Sequence, residues 1–526
     1  MTFDRGSTTG FAASPGTTSP GAYDPGAAAT LVLAILVTGM PLVLHLADQA
    51  VGIAACVLLA VLVASFAAPV VPVALLFSYL FQNLFVALLS PAISVSNQLN
   101  AMRGYNFILT AATWLLLAAS YWTSRAGFDR DFRRLIDVTT AALVLIGIYF
   151  VLGLAANPAG AVVYLRNIVT PVLMFQAFAL VAYQHRLCVT APLMVVAIVV
   201  LAYGYVEFFA HDELLRLVNG DTYLTLRTRQ EHEPNMWLKE LQETGRVIRS
   251  FLDTMVVDFL NTPAFADLGL RFYRLVGPNF HPISYAYALA FFGVVLFALG
   301  RWWYVALALP LLLIVGSKGA LVFAALAIGA AVVLGPLRGY AALWIYAAVL
   351  LLYVATGIAA GIAAQDYHVI GFIGGLKGFL ANPLGRGIGI GGNLALDMST
   401  IDWSRSQHLG HTDVAVESAV GVLLYQMGIC GAVVLGIFAW LAVRLWGWHL
   451  RAGGRLYATG CFAVLAIMAN GVFQEEAIFA PLALGIVMGL AGLLLGRACR
   501  MERLALGATT VPERAGRLPR RTPRPA

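Results

Sequence analysis

The stretch AATLVLAILVTGMPLVLHLA (28–47), followed three residues later by VGIAACVLLAVLVASFA (51–67), decides the class of the fold. Neither run holds an acidic residue, a lysine or an arginine. Each approaches the length of about 20 apolar residues that a helix needs to cross the hydrocarbon core of a bilayer. Working outward, twelve more such runs lie near 70–89, 106–122, 137–155, 168–184, 190–210, 282–299, 302–315, 319–335, 340–361, 414–436, 457–474 and 478–496. The expected fold is all-α: a polytopic membrane bundle of about 14 transmembrane helices. The span count hinges on Ser317 and Lys318, since a continuous helix through that pair would invert every later span.

Composition agrees. Over 526 residues, 60% are hydrophobic and only 11% charged, against about 25% charged in a soluble domain. That excludes an ordinary soluble enzyme and a disordered chain. Five cysteines, all in spans or on the inner side, cannot staple an outer loop.

Charge placement sets the orientation, because cytoplasmic loops collect Lys and Arg. With both termini inside, the inner segments hold 19 basic and 7 acidic residues and the outer segments 14 basic and 19 acidic. The pI of 9.2 then reflects topology and gives no reason to expect nucleic acid. Residues 1–27, rich in Gly, Ser, Thr, Pro and Ala, read as a disordered cytoplasmic tail, with no cleavable leader. Residues 28–496 read as the transmembrane bundle, including outer loops 211–280 and 362–413. Residues 497–526 form a basic cytoplasmic tail that could touch anionic lipid.

The outer loops carry the polar chemistry. In the first, MWLKELQETGRVIRSFLDTMVVDFL (236–260) has apolar residues at helical spacing and reads as an amphipathic helix, a structural lid. It is followed by RFYRLVGPNFHP (271–282), where Arg271, Arg274 and His281 precede a span opened by Pro282. Guanidiniums grip phosphate bidentately, and a helix N-terminus adds free amides; interface anchoring explains the arginines equally well. Lys318 and Arg166 sit at comparable span mouths.

The second loop holds NPLGRGIGIGGN (382–393), a literal GxGxxG without the strand and βαβ unit that a dinucleotide site requires. It reads as a flexible re-entrant loop, or as amides for a phosphate beside Arg386. His408, His411, Asp413 and Glu417 cluster where the twelfth span begins, and 413–417, taken as one helical turn, puts both carboxylates on one face. A histidine can take a proton from a sugar hydroxyl. His408 and His411 are too few for a zinc site, so no metal and no cofactor is expected. Glu475 and Glu476 read as structural caps of a short outer turn.

With these motifs in this order, the sequence resembles the family of O-antigen ligases and Wzy-type polysaccharide polymerases. The resemblance covers roughly 160–450 and rests on Arg274 with GPNFHP, SKGA (317–320), NPLGRGIGIGGN and His411 with ESAVGVLLYQMGICG. It implies a metal-independent, inverting GT-C-type glycosyltransferase in the bacterial inner membrane, acting on undecaprenyl-diphosphate-linked oligosaccharide. A flippase and a chain-length regulator are implied partners. Carried onto this chain, His411 is the base oriented by Glu417, and Arg274 is catalytic. Arg166, Arg271, Lys318, Arg386 and His281 surround the diphosphate. Lys318 departs from the family's arginine and acts as a point charge. Polymerase and ligase use the same parts. A lipid-linked oligosaccharide transporter is the rival, although the chain shows no internal repeat and almost no mid-span charge.

Overall fold

The computed structural model describes residues 26–93, 95–231, 255–261, 269, 271–337, 339–394 and 401–509. The chain begins with α1 (Ala27–Ala47), α2 (Gln49–Phe66), α3 (Val71–Leu89), the short α4 (Ser96–Arg103), α5 (Tyr105–Thr123), α6 (Arg130–Ala156), α7 (Pro158–Gln184) and α8 (Thr190–Phe209). After α9 (His211–Leu217) and α10 (Gly220–Glu231), two strands, β1 (Val256–Asp258) and β2 (Arg271–Tyr273), pair antiparallel. Next come α11 (Pro282–Ala298), α12 (Trp303–Val315), α13 (Lys318–Val333), α14 (Ala341–Ala364), α15 (Tyr367–Ala381) and α16 (Trp403–Leu409). The last are α17 (Ala419–Met427), α18 (Ile429–Ala452), α19 (Arg455–Asn470), α20 (Glu476–Phe479) and α21 (Ile486–Thr509).

Among the described residues, nine helices are long and apolar enough to cross a membrane: α1, α2, α3 with its flanking turns, α6, α7, α8, α14, α18 and the segment Pro481–Ala505. Shorter apolar helices α11, α12, α13, α15 and α19 complete the bundle. The chain is thus an all-α multi-pass membrane protein. On α14, Trp344, Leu351 and Leu352 are exposed, an outward surface that suits lipid and would be costly in water.

The core is built around α7 and α21. GIVMGLAGLLLG (485–496) sets Gly485, Gly489, Gly492 and Gly496 along the seam with α7. A Cβ at Gly492 would strike the Phe175 carbonyl, and one at Gly496 that of Ala179. Small residues bring two backbones together and recover dispersion contacts, the main source of helix affinity inside a bilayer.

Four expectations change. The 414–436 span is interrupted: α17 ends at Gly428, whose φ of 57° and ψ of −137° redirect the chain, and the long apolar helix is α18. Residues 413–417 are not helical, and Glu417 takes φ of 61°, so Asp413 and Glu417 do not share a helical face. Loop 362–413 contains α15, which packs against α17. Of the expected amphipathic helix, 236–254 lies outside the described residues, and its end is β1, followed by a 3-10 turn. Register decides that end: Val256, Val257 and Asp258 pair with Tyr273, Phe272 and Arg271, and strand hydrogen bonding overrides the local helical period. At Ser317 the chain does break, because Gly316 adopts φ of 66° between α12 and α13.

Candidate functional site

Several loops meet at one end of the bundle. Asn83 donates through Nδ2 to the Asn279 carbonyl at 2.7 Å, and Asn470 likewise to that of Gly319 at 2.6 Å. The turn VGPNF (276–280) is pinned from α8: the buried Glu207 carboxylate accepts from the amides of Val276 at 2.7 Å and Gly277 at 2.9 Å. The one acid in α8 is therefore structural. Gly277 needs its hydrogen side chain, with φ of 65° and the Tyr285 ring where a Cβ would stand.

Below these loops lies a cavity of about 460 Å³ between α3, α4, α5, α7, the start of α11 and the 475–482 turn. Its lining includes six asparagines, at 83, 100, 106, 167, 279 and 393, together with Arg103, Arg166, His281, Glu475 and Glu476. Arg166 projects from α7 and donates through Nε to Asn167 at 3.4 Å, a long contact. Arg103 comes from the end of α4, in the polar stretch SNQLNAMRGYN (96–106) that separates two apolar spans. Sequence reasoning missed it, although that run of amides was its signal.

His281 caps α11, its Nδ1 accepting from the Ser284 amide at 3.2 Å. That bond assigns the proton to Nε2. Burial, then the charges of Arg227, Arg274 and Arg103, drive its pKa down to about 3, so the ring is a neutral donor. Arg274 donates through Nε to the Val315 carbonyl at 3.0 Å; burial lowers its pKa while the Glu476 charge opposes the shift.

Glu475 is buried. Its Oε1 accepts from the Tyr164 hydroxyl and its Oε2 from the Asn393 amide at 3.0 Å. Burial pushes its carboxyl up to about 8. Glu476 lines the same cavity, so neither acid is merely a cap on an outer turn. The turn folds inward because Tyr164 and Asn393 satisfy the buried carboxyl of Glu475.

Asn393 extends the network, its Oδ1 accepting from the Glu417 amide at 2.9 Å. The Glu417 carboxylate meets Nδ1 of His368 at 3.2 Å, not His411. Burial lowers the His368 pKa, but the bond to Glu417, its charge and that of Asp366 outweigh this and leave it raised. His411 lies outside the cavity lining, with Nδ1 3.1 Å from the Thr412 carbonyl. Lys318 and Arg271 are exposed and also outside it.

Arg386 is held by protein. It donates through Nη1 to the Gly378 carbonyl at 2.9 Å, and its guanidinium lies 4.0 Å from the centre of the Tyr425 ring. In the glycine-rich loop the amides of Arg386 and Gly387 donate to the Gln426 carbonyl, that of Ile388 to Tyr149 and that of Gly392 to Ala415. Those amides are spent inside the fold and do not cradle an anion. Of the expected cations, the cavity takes Arg166 directly and has Arg274 beside its His281 and Glu476.

Compared with known proteins, the chain matches no family model and no curated protein.

Proposed function

We propose that the chain is a membrane glycosyltransferase that polymerises undecaprenyl-diphosphate-linked oligosaccharide repeat units into a surface polysaccharide. The expected setting is the outer face of the bacterial inner membrane, with both termini cytoplasmic. The observation that carries this reading is the cavity: two arginines and a neutral histidine donor among six asparagines, at the loop-bearing end of an apolar bundle. Two fixed cations match a diphosphate, and guanidiniums bind its oxygens in pairs. Amides that both donate and accept suit sugar hydroxyls.

The chemistry follows from electrostatics. Departure of a lipid diphosphate develops negative charge, and preorganised donors at a low-dielectric boundary stabilise it without reorganising. Arg103 and Arg166 serve that role, with Nε2–H of His281 as a third donor and Arg274 behind them. In this scheme the arginines act where other transferases use a metal. The attacking hydroxyl inverts the anomeric centre, as the resemblance implies.

Transfer to a different acceptor uses the same cavity. The transporter reading gains nothing from Glu207, which sits in the last turn of α8 and is occupied by backbone amides. The test is incubation of the purified protein with lipid-diphosphate oligosaccharide. A ladder of longer lipid-linked chains supports polymerisation. Transfer to another acceptor makes the protein a ligase, and translocation across vesicles without a new bond makes it a transporter.

A further inference from the structure

Any such transfer needs a group that takes the proton of the acceptor hydroxyl, and that group must reach the cavity. The charged side chains and the histidine of the lining differ in what they have left to offer. Arg103 and Arg166 are donors only. On His281, the nitrogen that could accept is committed to the Ser284 amide, and protonation is opposed by three arginines. On Glu475, both oxygens already accept, from Tyr164 and from Asn393. Glu476 differs: among the described residues its carboxylate has no hydrogen-bond or ion-pair partner beyond its own backbone amide.

We infer that Glu476 is the catalytic base of this cavity, taking the proton from the hydroxyl of the acceptor sugar. The inference rests on the glycosyltransferase reading and names a residue within it. The step balances. The hydroxyl proton passes to the Glu476 carboxylate as the acceptor oxygen bonds to the anomeric carbon. The bond from that carbon to the diphosphate oxygen breaks, its electron pair leaving with the lipid diphosphate, and Glu476 later returns the proton to water.

The surroundings tune this carboxylate as a base requires. Burial raises its pKa, Glu417 reinforces the shift, and His368 and Arg274 oppose it. Glu475 is the adjoining acid, and Arg103 and Arg166 are the other charges of the lining. A carboxylate made more basic, yet still ionisable beside Arg274, takes a proton more readily than an exposed one.

The experiment uses the full-length protein in nanodiscs. Its substrate is the lipid-diphosphate repeat unit extracted from cells that lack this chain. For Glu476→Gln, kcat falls at least ~100-fold while KM stays within about 3-fold. Glu476→Asp restores part of the rate, and the acidic limb of the wild-type pH–rate profile disappears in the Gln variant. Turnover of Glu476→Gln within about 3-fold of wild type overturns the assignment, as does loss of substrate binding in that variant. A wild-type protein that elongates nothing overturns the glycosyltransferase reading itself, a separate result.

Discussion

The glycine-rich loop and the polar cavity share one ingredient, arginine set beside backbone turns and polar groups. They differ in what the protein has already done with them. In 382–394 the guanidinium of Arg386 is stacked on Tyr425 and bonded to Gly378, and successive amides go to Gln426, Tyr149 and Ala415. In the cavity, Arg103, Arg166 and Glu476 face space. A cation near a span mouth marks a candidate; whether it binds a ligand depends on how many of its donors the fold has used.

Substitutions in the two regions have different expected outcomes. The largest effect falls on the cavity: Arg166→Ala lowers product formation by ~100- to 1,000-fold, the scale of removing one preorganised stabiliser of developing charge, measured as kcat on the lipid-linked substrate. Next comes Gly389→Val in the loop. Gly389 has φ of 88° and the Ala161 amide where a Cβ would stand, so this variant loses about 2–4 kcal/mol of stability, read as a lower thermal midpoint. Arg386→Leu should cost about 1 kcal/mol through its lost hydrogen bond and ring contact, with turnover per folded molecule within about 3-fold of wild type. A large, selective loss of turnover there would erase the distinction between the two regions.

A smaller effect is a slope. The Glu475 carboxyl, raised to about 8 by burial, keeps its proton in the folded state where the unfolded chain has released it. Its contribution to stability is therefore full below about pH 4.5 and is lost as pH rises through about 8. Glu475→Gln should flatten the fall in thermal midpoint over that window. The smallest effect is expected at His411: His411→Ala leaves turnover within about 3-fold, because its ring lies outside the cavity.

Much of the bundle is legible in the sequence, because an uninterrupted apolar run has few alternatives in a bilayer. The expected 190–210 run appears as α8 at Thr190–Phe209. Readability fails where polar residues enter a helix. The seventh helix starts at Pro158, capped by Asn157, and not at 168; Arg166 and Asn167, which line the cavity, interrupt the apolar run and hide its first turns. The pairing of Glu417 with His368 was also hidden. Forty-nine residues separate the two, and a positive φ at Glu417 turns the chain out of the helical register that its spacing from Asp413 suggested. The six asparagines run from 83 to 393, so no sequence window gathers them.

Binding of a lipid diphosphate in this cavity is read from equilibrium titrations of undecaprenyl diphosphate and undecaprenyl monophosphate against the protein in nanodiscs. The two ligands share a chain and differ by one phosphate. The diphosphate is expected to bind at least ~10-fold more tightly, a difference of about 1.4 kcal/mol, and Arg166→Ala to remove that preference. Equal affinity for both lipids, or a preference that survives in Arg166→Ala, would contradict binding in this cavity.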